Sequence, residues 1–241
     1  SVYDWTAHST AFVAGTDFSP YEKLRIASLL NWTQGKQWQA AFSGDLIHGN
    51  QRKGSLIFSS DFLYHLIPKD KSVKHSIQLK SQLRWEYKVW EQLTFRLRLT
   101  DRFRTWGLQH RTELRLETAV PLKSWILDTR VHVLKSRSHS ALAYIDASYK
   151  TSAMTLHLRA GAFCVDNWDD RIYVYEYDAP GSFNVPAYYG RGVWAASVLS
   201  WKLSRVMRLY IRGSFISYPF MSTEKKKPGR AELKLQSVFK F

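Results

Sequence analysis

Residues 76–88 read SIQLKSQLRWEYK. Ile77, Leu79, Leu83, Trp85 and Tyr87 fall on one side of an extended chain, and Gln78, Lys80, Gln82, Arg84, Glu86 and Lys88 fall on the other. Side chains alternate across a strand with period two, so this stretch predicts a strand with one apolar and one charged face. The same period follows at once in LTFRLRLTDRF and TELRLETAVPL. Upstream it runs through TAHSTAFVAG, KLRIASLLNW, QWQAAFSGDL and the stretch of Leu56, Phe58, Phe62 and Tyr64. Downstream come WILDTRVHV, SALAYIDASY, MTLHLRAGAFC, RIYVYEY, VWAASVLSW, MRLYIRGSF and AELKLQSVFKF. About fourteen strands of roughly ten residues are predicted, in a range of about twelve to sixteen. Fourteen is favoured because an even number brings both ends of the chain to one side. Alternation breaks between 47 and 72 and between 164 and 192. Either a strand is merged or split there, or some outer hairpins are tight.

The apolar face decides between two all-β architectures. In a water-soluble sandwich it fills a shared core. Here it gains aromatic residues toward segment ends: Trp32, Trp38, Tyr64, Trp85, Tyr87, Trp125, Tyr149, Trp201, Phe239 and Phe241. Rings at the ends of lipid-facing strands are a feature of outer-membrane barrels. Strands of about ten residues are long enough to cross a bilayer at a tilt. The expected fold is an all-β, antiparallel up-and-down transmembrane β-barrel, with residues 1–241 as a single domain. A soluble basic β-protein is the competing architecture.

The totals agree. Formal net charge is +15, which points to an anionic neighbour. The single Cys excludes an internal disulfide. No apolar run approaches the roughly 20 residues of a transmembrane helix. The opening SVYDWTAHST has neither the basic start nor the apolar stretch of a signal peptide, so a mature form or the C-terminal part of a longer chain is expected. At the other end, AELKLQSVFKF sets Leu233, Leu235, Ser237, Phe239 and Phe241 against charged neighbours. A closing aromatic on an alternating strand reads as an insertion signal, carried by Phe239 and Phe241.

Three motifs in the last third carry a family resemblance. They are D-x-R-I-Y-x-Y-E at Asp169 to Glu176, aromatic–Tyr–Gly-x-Gly at Tyr188 to Gly192, and L-x-L-Q-x-x-x-K-F at Leu233 to Phe241. This region resembles the C-terminal barrel of Bacteroidota helix-hairpin-helix-domain proteins. The helical motif itself is not found in this chain. The resemblance implies an outer-membrane location and a barrel that travels with a secretion or barrel-assembly machine.

Arg84, Glu86, Arg96, Arg98, Arg102, Glu113, Arg115, Glu117, Asp128 and Arg130 are expected on the inner face. They form either an anion-attracting lumen or a paired network that fills it, and the close spacing of opposite charges favours the second. The segment DAPGSFNVPAYYGRG is read as an ordered outer loop, or as one folded inward or offered to a partner through Phe183, Tyr188, Tyr189 and Arg191. Lys225, Lys226, Lys227 and Arg230 form either a lipopolysaccharide contact or a solvated hairpin tip. His139 beside Ser140, and His48 near Asp45, are the imaginable catalytic pairs, but adjacency in sequence does not make a catalytic hydrogen bond. Cys164 belongs to an Ala/Leu/Met face.

These readings lead to a non-catalytic barrel that acts as an interaction or scaffold component of an envelope complex. A channel for anionic solutes is the alternative, and an outer-membrane hydrolase the second alternative. No cofactor and no metal are expected. The expected partners are outer-membrane lipid and lipopolysaccharide, the barrel-assembly machinery and proteins of an envelope complex. Nucleic acid is not expected, because the basic residues are spread over many strands.

Overall fold

The computed structural model describes residues 7–19, 22–33, 37–50, 54–69, 72–89, 93–105, 109–221 and 228–239, with side chains in 54–64 and, within those ranges, from 76 onward. The strands are β1 (Ala7–Ser19), β2 (Glu22–Thr33), β3 (Gln37–Asn50), β4 (Gly54–Lys69), β5 (Ser72–Val89), β6 (Leu93–Arg104), β7 (Gln109–Leu122), β8 (Trp125–Lys135), β9 (His139–Lys150) and β10 (Met154–Val165). They continue with β11 (Ile172–Tyr173), β12 (Ala187–Tyr188), β13 (Gly190–Lys202), β14 (Met207–Ser217) and β15 (Arg230–Phe239). β11 and β12 pair with each other, and the other thirteen form one sheet in chain order, with β10 followed directly by β13. β1 and β15 are the end strands of that order, and among the described residues no ladder joins them.

Those thirteen are the predicted segments with one exception. RIYVYEY alternates like the rest but does not join the sheet, because β10 and β13 pair along their whole length, from Met154↔Trp201 to Val165↔Gly190, and leave no slot between them. The break in alternation between 47 and 72 falls within long strands. β3 reaches Asn50, β4 runs from Gly54 to Lys69 and β5 begins at Ser72, so the strands there are longer than the ten residues expected.

Contacts group the chain into two compact units, 1–88 with 96–114, and 89–95 with 115–241. In the first, Leu56, Phe58, Phe62, Leu79, Trp85, Tyr87, Leu99 and Phe103 share the apolar face and are exposed. In the second, the same face carries exposed Leu116, Trp125, Val131, Val133, Ile145, Leu158, Trp201, Phe215, Leu233, Leu235 and Phe239. Aromatic rings gather along one end of it. Trp125 lies 4.8 Å from Tyr149, Trp201 stands opposite Met154, and Phe239 stands opposite Met207.

Burial in the second unit lies on the opposite, polar face. There Leu142, Tyr144, Phe163, Val165 and Trp194 from the sheet pack against Ile172, Val174 and Tyr188 from the β10–β13 connection. Close packing at this cluster depends on Gly161. A Cβ there would meet the Trp194 ring at 2.4 Å and the Ala143 carbonyl at 2.5 Å. Gly161→Ala is therefore expected to destabilise the second unit by about 1–3 kcal/mol through overpacking, measured as a lower denaturant midpoint.

Candidate functional site

The β10–β13 connection, residues 166–189, lies on the polar face of the second unit. It opens with a 3₁₀ turn at Trp168–Asp170, where the Asn167 side chain accepts from the Asp169 amide. Asp170 is buried and accepts from the hydroxyls of Ser136 and Ser138, which ties the segment to the β8–β9 turn. Residues 172–178 are extended, so they alternate as the sequence suggests. Ile172, Val174, Glu176 and Asp178 turn toward the sheet, while Tyr173 and Tyr175 stay exposed.

Glu176 is the main anchor. The Tyr188 hydroxyl and Arg212 Nη2 (3.0 Å) donate to its carboxylate, as does Asn184 Nδ2 (3.2 Å). Both Glu176 and Arg212 are nearly fully buried. Asp178 accepts from Lys234 Nζ at 3.3 Å and lies 3.8 Å from Arg212. Gln236 donates to the Pro180 carbonyl at 3.2 Å, so the segment reaches β15. Burial, then the neighbouring Glu176 charge, pushes the Tyr188 hydroxyl up, which keeps it a donor. A cavity of about 750 Å³ remains beside this anchor, lined by Glu176, Tyr188, Trp194, Arg212, Ile216 and Tyr218.

A second cluster holds the middle of the segment. Arg159 Nε donates to Asp146 at 2.9 Å, and its guanidinium lies 4.4 Å from the Tyr144 ring centre. Arg159 Nη1 also reaches the Tyr175 carbonyl. His157 stacks on Tyr177 at 3.7 Å and shares a 2.7 Å hydrogen bond with Ser148. Ser148 in turn donates to Asp146 at 3.3 Å. This order, with serine between carboxylate and imidazole, differs from a triad, in which the carboxylate orients the imidazole. The sequence reading missed Glu176, Asp178, Asp146 and Arg159. For Glu176 and Asp178 the signal was two acidic residues on the inward side of RIYVYEYD, with Arg212 and Lys234 available on β14 and β15.

The predicted charge network is split between the units. In the first, Arg96 donates to Glu86 at 3.0 Å, and Arg111 pairs with Glu113 at 2.6 Å. In the second, Arg130 pairs with Glu117 at 2.6 Å and lies 5.1 Å from the Tyr144 ring centre. Arg115 and Asp128 lie on the same face of their strands as Glu117 and Arg130. Arg84, Arg98 and Arg102 have no ion pair among the described residues.

The predicted contact residues part company. Phe183 is 84% exposed. Tyr188 is not a surface residue: its ring packs 4.3 Å from Trp194 and its hydroxyl serves Glu176. Tyr189 meets Trp168 edge-on at 4.5 Å. Arg191 donates to Asp166 at 2.8 and 2.9 Å, which holds that carboxyl below the ordinary carboxylate range. Arg230 is exposed and lies 3.5 Å from Glu232, while Lys225, Lys226 and Lys227 lie outside the described residues. Phe239 is exposed on the apolar face, and Phe241 lies outside the described residues. His139 is exposed and Ser140 buried, because neighbours on a strand point to opposite faces. Asp45 and His48 lie in β3, whose side chains are outside the described set. Cys164 keeps its place on the apolar face with Ala162 and Ala160.

No protein-family model matches the sequence, and no curated protein does. The helix-hairpin-helix resemblance therefore has no family match beside it. Among solved structures the chain is similar to CdiB from Acinetobacter baumannii, with 12% identity and a TM-score of 0.45. The likeness covers 96% of this chain and 49% of that one, so this chain spans about half its length.

Breaking a buried ion pair by removing one partner costs about 3–5 kcal/mol. Glu176→Ala is expected to release the segment by about that amount, seen as faster proteolysis at 171–189 while the sheet's circular dichroism persists.

Proposed function

We propose that this chain forms an outer-membrane β-barrel wall whose interior is occupied by its own 166–189 segment. It acts without catalysis, as an interaction scaffold in an envelope complex. The observation that carries this reading is the inversion of the sheet: the apolar face is bare, and the burial lies on the polar face. A soluble monomer rarely exposes a contiguous apolar patch larger than a few hundred Å². Hydrocarbon tails satisfy such a face, and the row of Trp125, Tyr149, Trp201 and Phe239 suits the headgroup level at one end. In that medium every backbone group needs a hydrogen-bond partner, which the continuous antiparallel ladders supply strand by strand. The anchored segment supports a filled interior over an open pore. Phe183 and Tyr173, exposed on that segment, are the surfaces offered to a protein partner. Arg230 suits a lipopolysaccharide phosphate at the outer leaflet.

Two measurements test the reading. Leu158→Arg should destabilise the folded chain by about 2–4 kcal/mol if that face meets lipid near mid-bilayer. A cost within about 0.5 kcal/mol, as on a wetted surface, would favour a soluble protein. In planar bilayers the intact chain is expected to carry no steady current, and deletion of residues 172–186 to produce one. Steady current through the intact chain would favour the anion channel instead. Photo-crosslinking from Phe183 in native envelopes identifies the partner, and a chain that captures none there loses the scaffold role.

A further inference from the structure

The fold shows how it treats two cations placed opposite each other. Arg212 on β14 stands directly across from Lys234 on β15. Like charges in that position repel. Glu232 on β15 lies 3.7 Å from Arg212 and 3.5 Å from Lys234, and the 166–189 segment brings Glu176 and Asp178 over the pair, at 3.0 Å from Arg212 and 3.3 Å from Lys234.

In the first unit two arginines face each other in the same way, with no ion pair to either among the described residues. Gln82 bonds Thr100, Glu86 bonds Arg96, and Gln78 bonds Arg104 across β5 and β6. The numbers step in opposite directions by equal amounts, so Arg84 stands across from Arg98, and Lys80 across from Arg102. Lys80 has Asp61 at 3.5 Å, and Arg96 has Glu86. Arg84, Arg98 and Arg102 have no ion pair among the described residues, and the Arg102 Nε is buried with no hydrogen-bond partner. Arg84 is exposed and Arg98 half-buried, so an anion from solution can reach both.

We propose that Arg84 and Arg98 bind a phosphate-bearing solute on the polar face of β5 and β6. Guanidinium forks match phosphate oxygens two at a time, and a multivalent anion would relieve the Arg84–Arg98 repulsion as Glu176 and Asp178 do for Arg212 and Lys234. The proposal goes beyond the scaffold reading and needs only that this face be wet, whether or not the barrel conducts.

The test uses inorganic pyrophosphate as the probe, with the full chain in neutral detergent. Calorimetry is expected to show saturable binding, weakened about tenfold by Arg84→Gln or Arg98→Gln, each a loss of charge-assisted hydrogen bonds. Without pyrophosphate, Arg98→Gln should raise the unfolding midpoint, because it removes a repulsion; with pyrophosphate the unsubstituted chain should gain more stability than the variant at the same concentration. Arg98→Lys, which keeps the charge but not the fork, should bind at an intermediate level and serves if the glutamine variant does not fold. No saturable binding by the unsubstituted chain, or binding of undiminished strength in both glutamine variants, overturns the site. A parallel arm places the chain in bilayer discs containing anionic phospholipid. Unchanged pyrophosphate binding there supports a soluble ligand, and competition by the lipid assigns the site to a headgroup and overturns the solute.

Discussion

A strand has two faces, and in this chain a single layer of sheet has to find cover for both. The polar face of the second unit finds it within the chain, where residues 166–189 bring Ile172, Val174 and Tyr188 onto Leu142, Phe163 and Trp194. The apolar face finds none within the described chain. The ordinary rule, apolar inside and polar outside, is therefore reversed, and the proposed lipid environment follows from that reversal.

The charged anchors do a different job from the apolar contacts. Burial of Glu176 and Arg212 together costs desolvation that a good hydrogen-bond geometry only offsets, so the pair adds little net stability by itself. What it supplies is position. The carboxylates of Glu176 and Asp178 fit where Arg212 and Lys234 face each other. The apolar contacts hold the segment down, and the ion pairs fix its register along β14 and β15.

Period-two alternation made the thirteen sheet strands legible, because burial on one side writes itself into every second residue. SIQLKSQLRWEYK is β5 with the faces as read, and its Leu79, Trp85 and Tyr87 are exposed. RIYVYEY defeated the same argument. It alternates for the same reason, one side buried, but against the face of the sheet and not in its edge-to-edge ladder. Alternation reports that one side is covered and is silent on what covers it. Tyr188 was misread for a related reason: a Pro- and Gly-rich stretch suggests an exposed loop, and nothing local announces Glu176 twelve residues earlier as its partner. The ion pairs between distant strands were not readable in detail, since cross-strand register is set by hairpin lengths that the sequence leaves open by a residue or two.

The chain leaves the sheet at Val165 and re-enters it at Gly190, and these two residues are themselves partners in the β10–β13 ladder. Topologically, the excursion between them is a detour with a closed base. The two strands can zip together whatever the detour is doing, and its docking can come later and be undone alone. Such a detour can be shortened, lengthened or exchanged over generations without disturbing the strands it springs from. This makes it the part of the molecule most open to acquiring a new specificity.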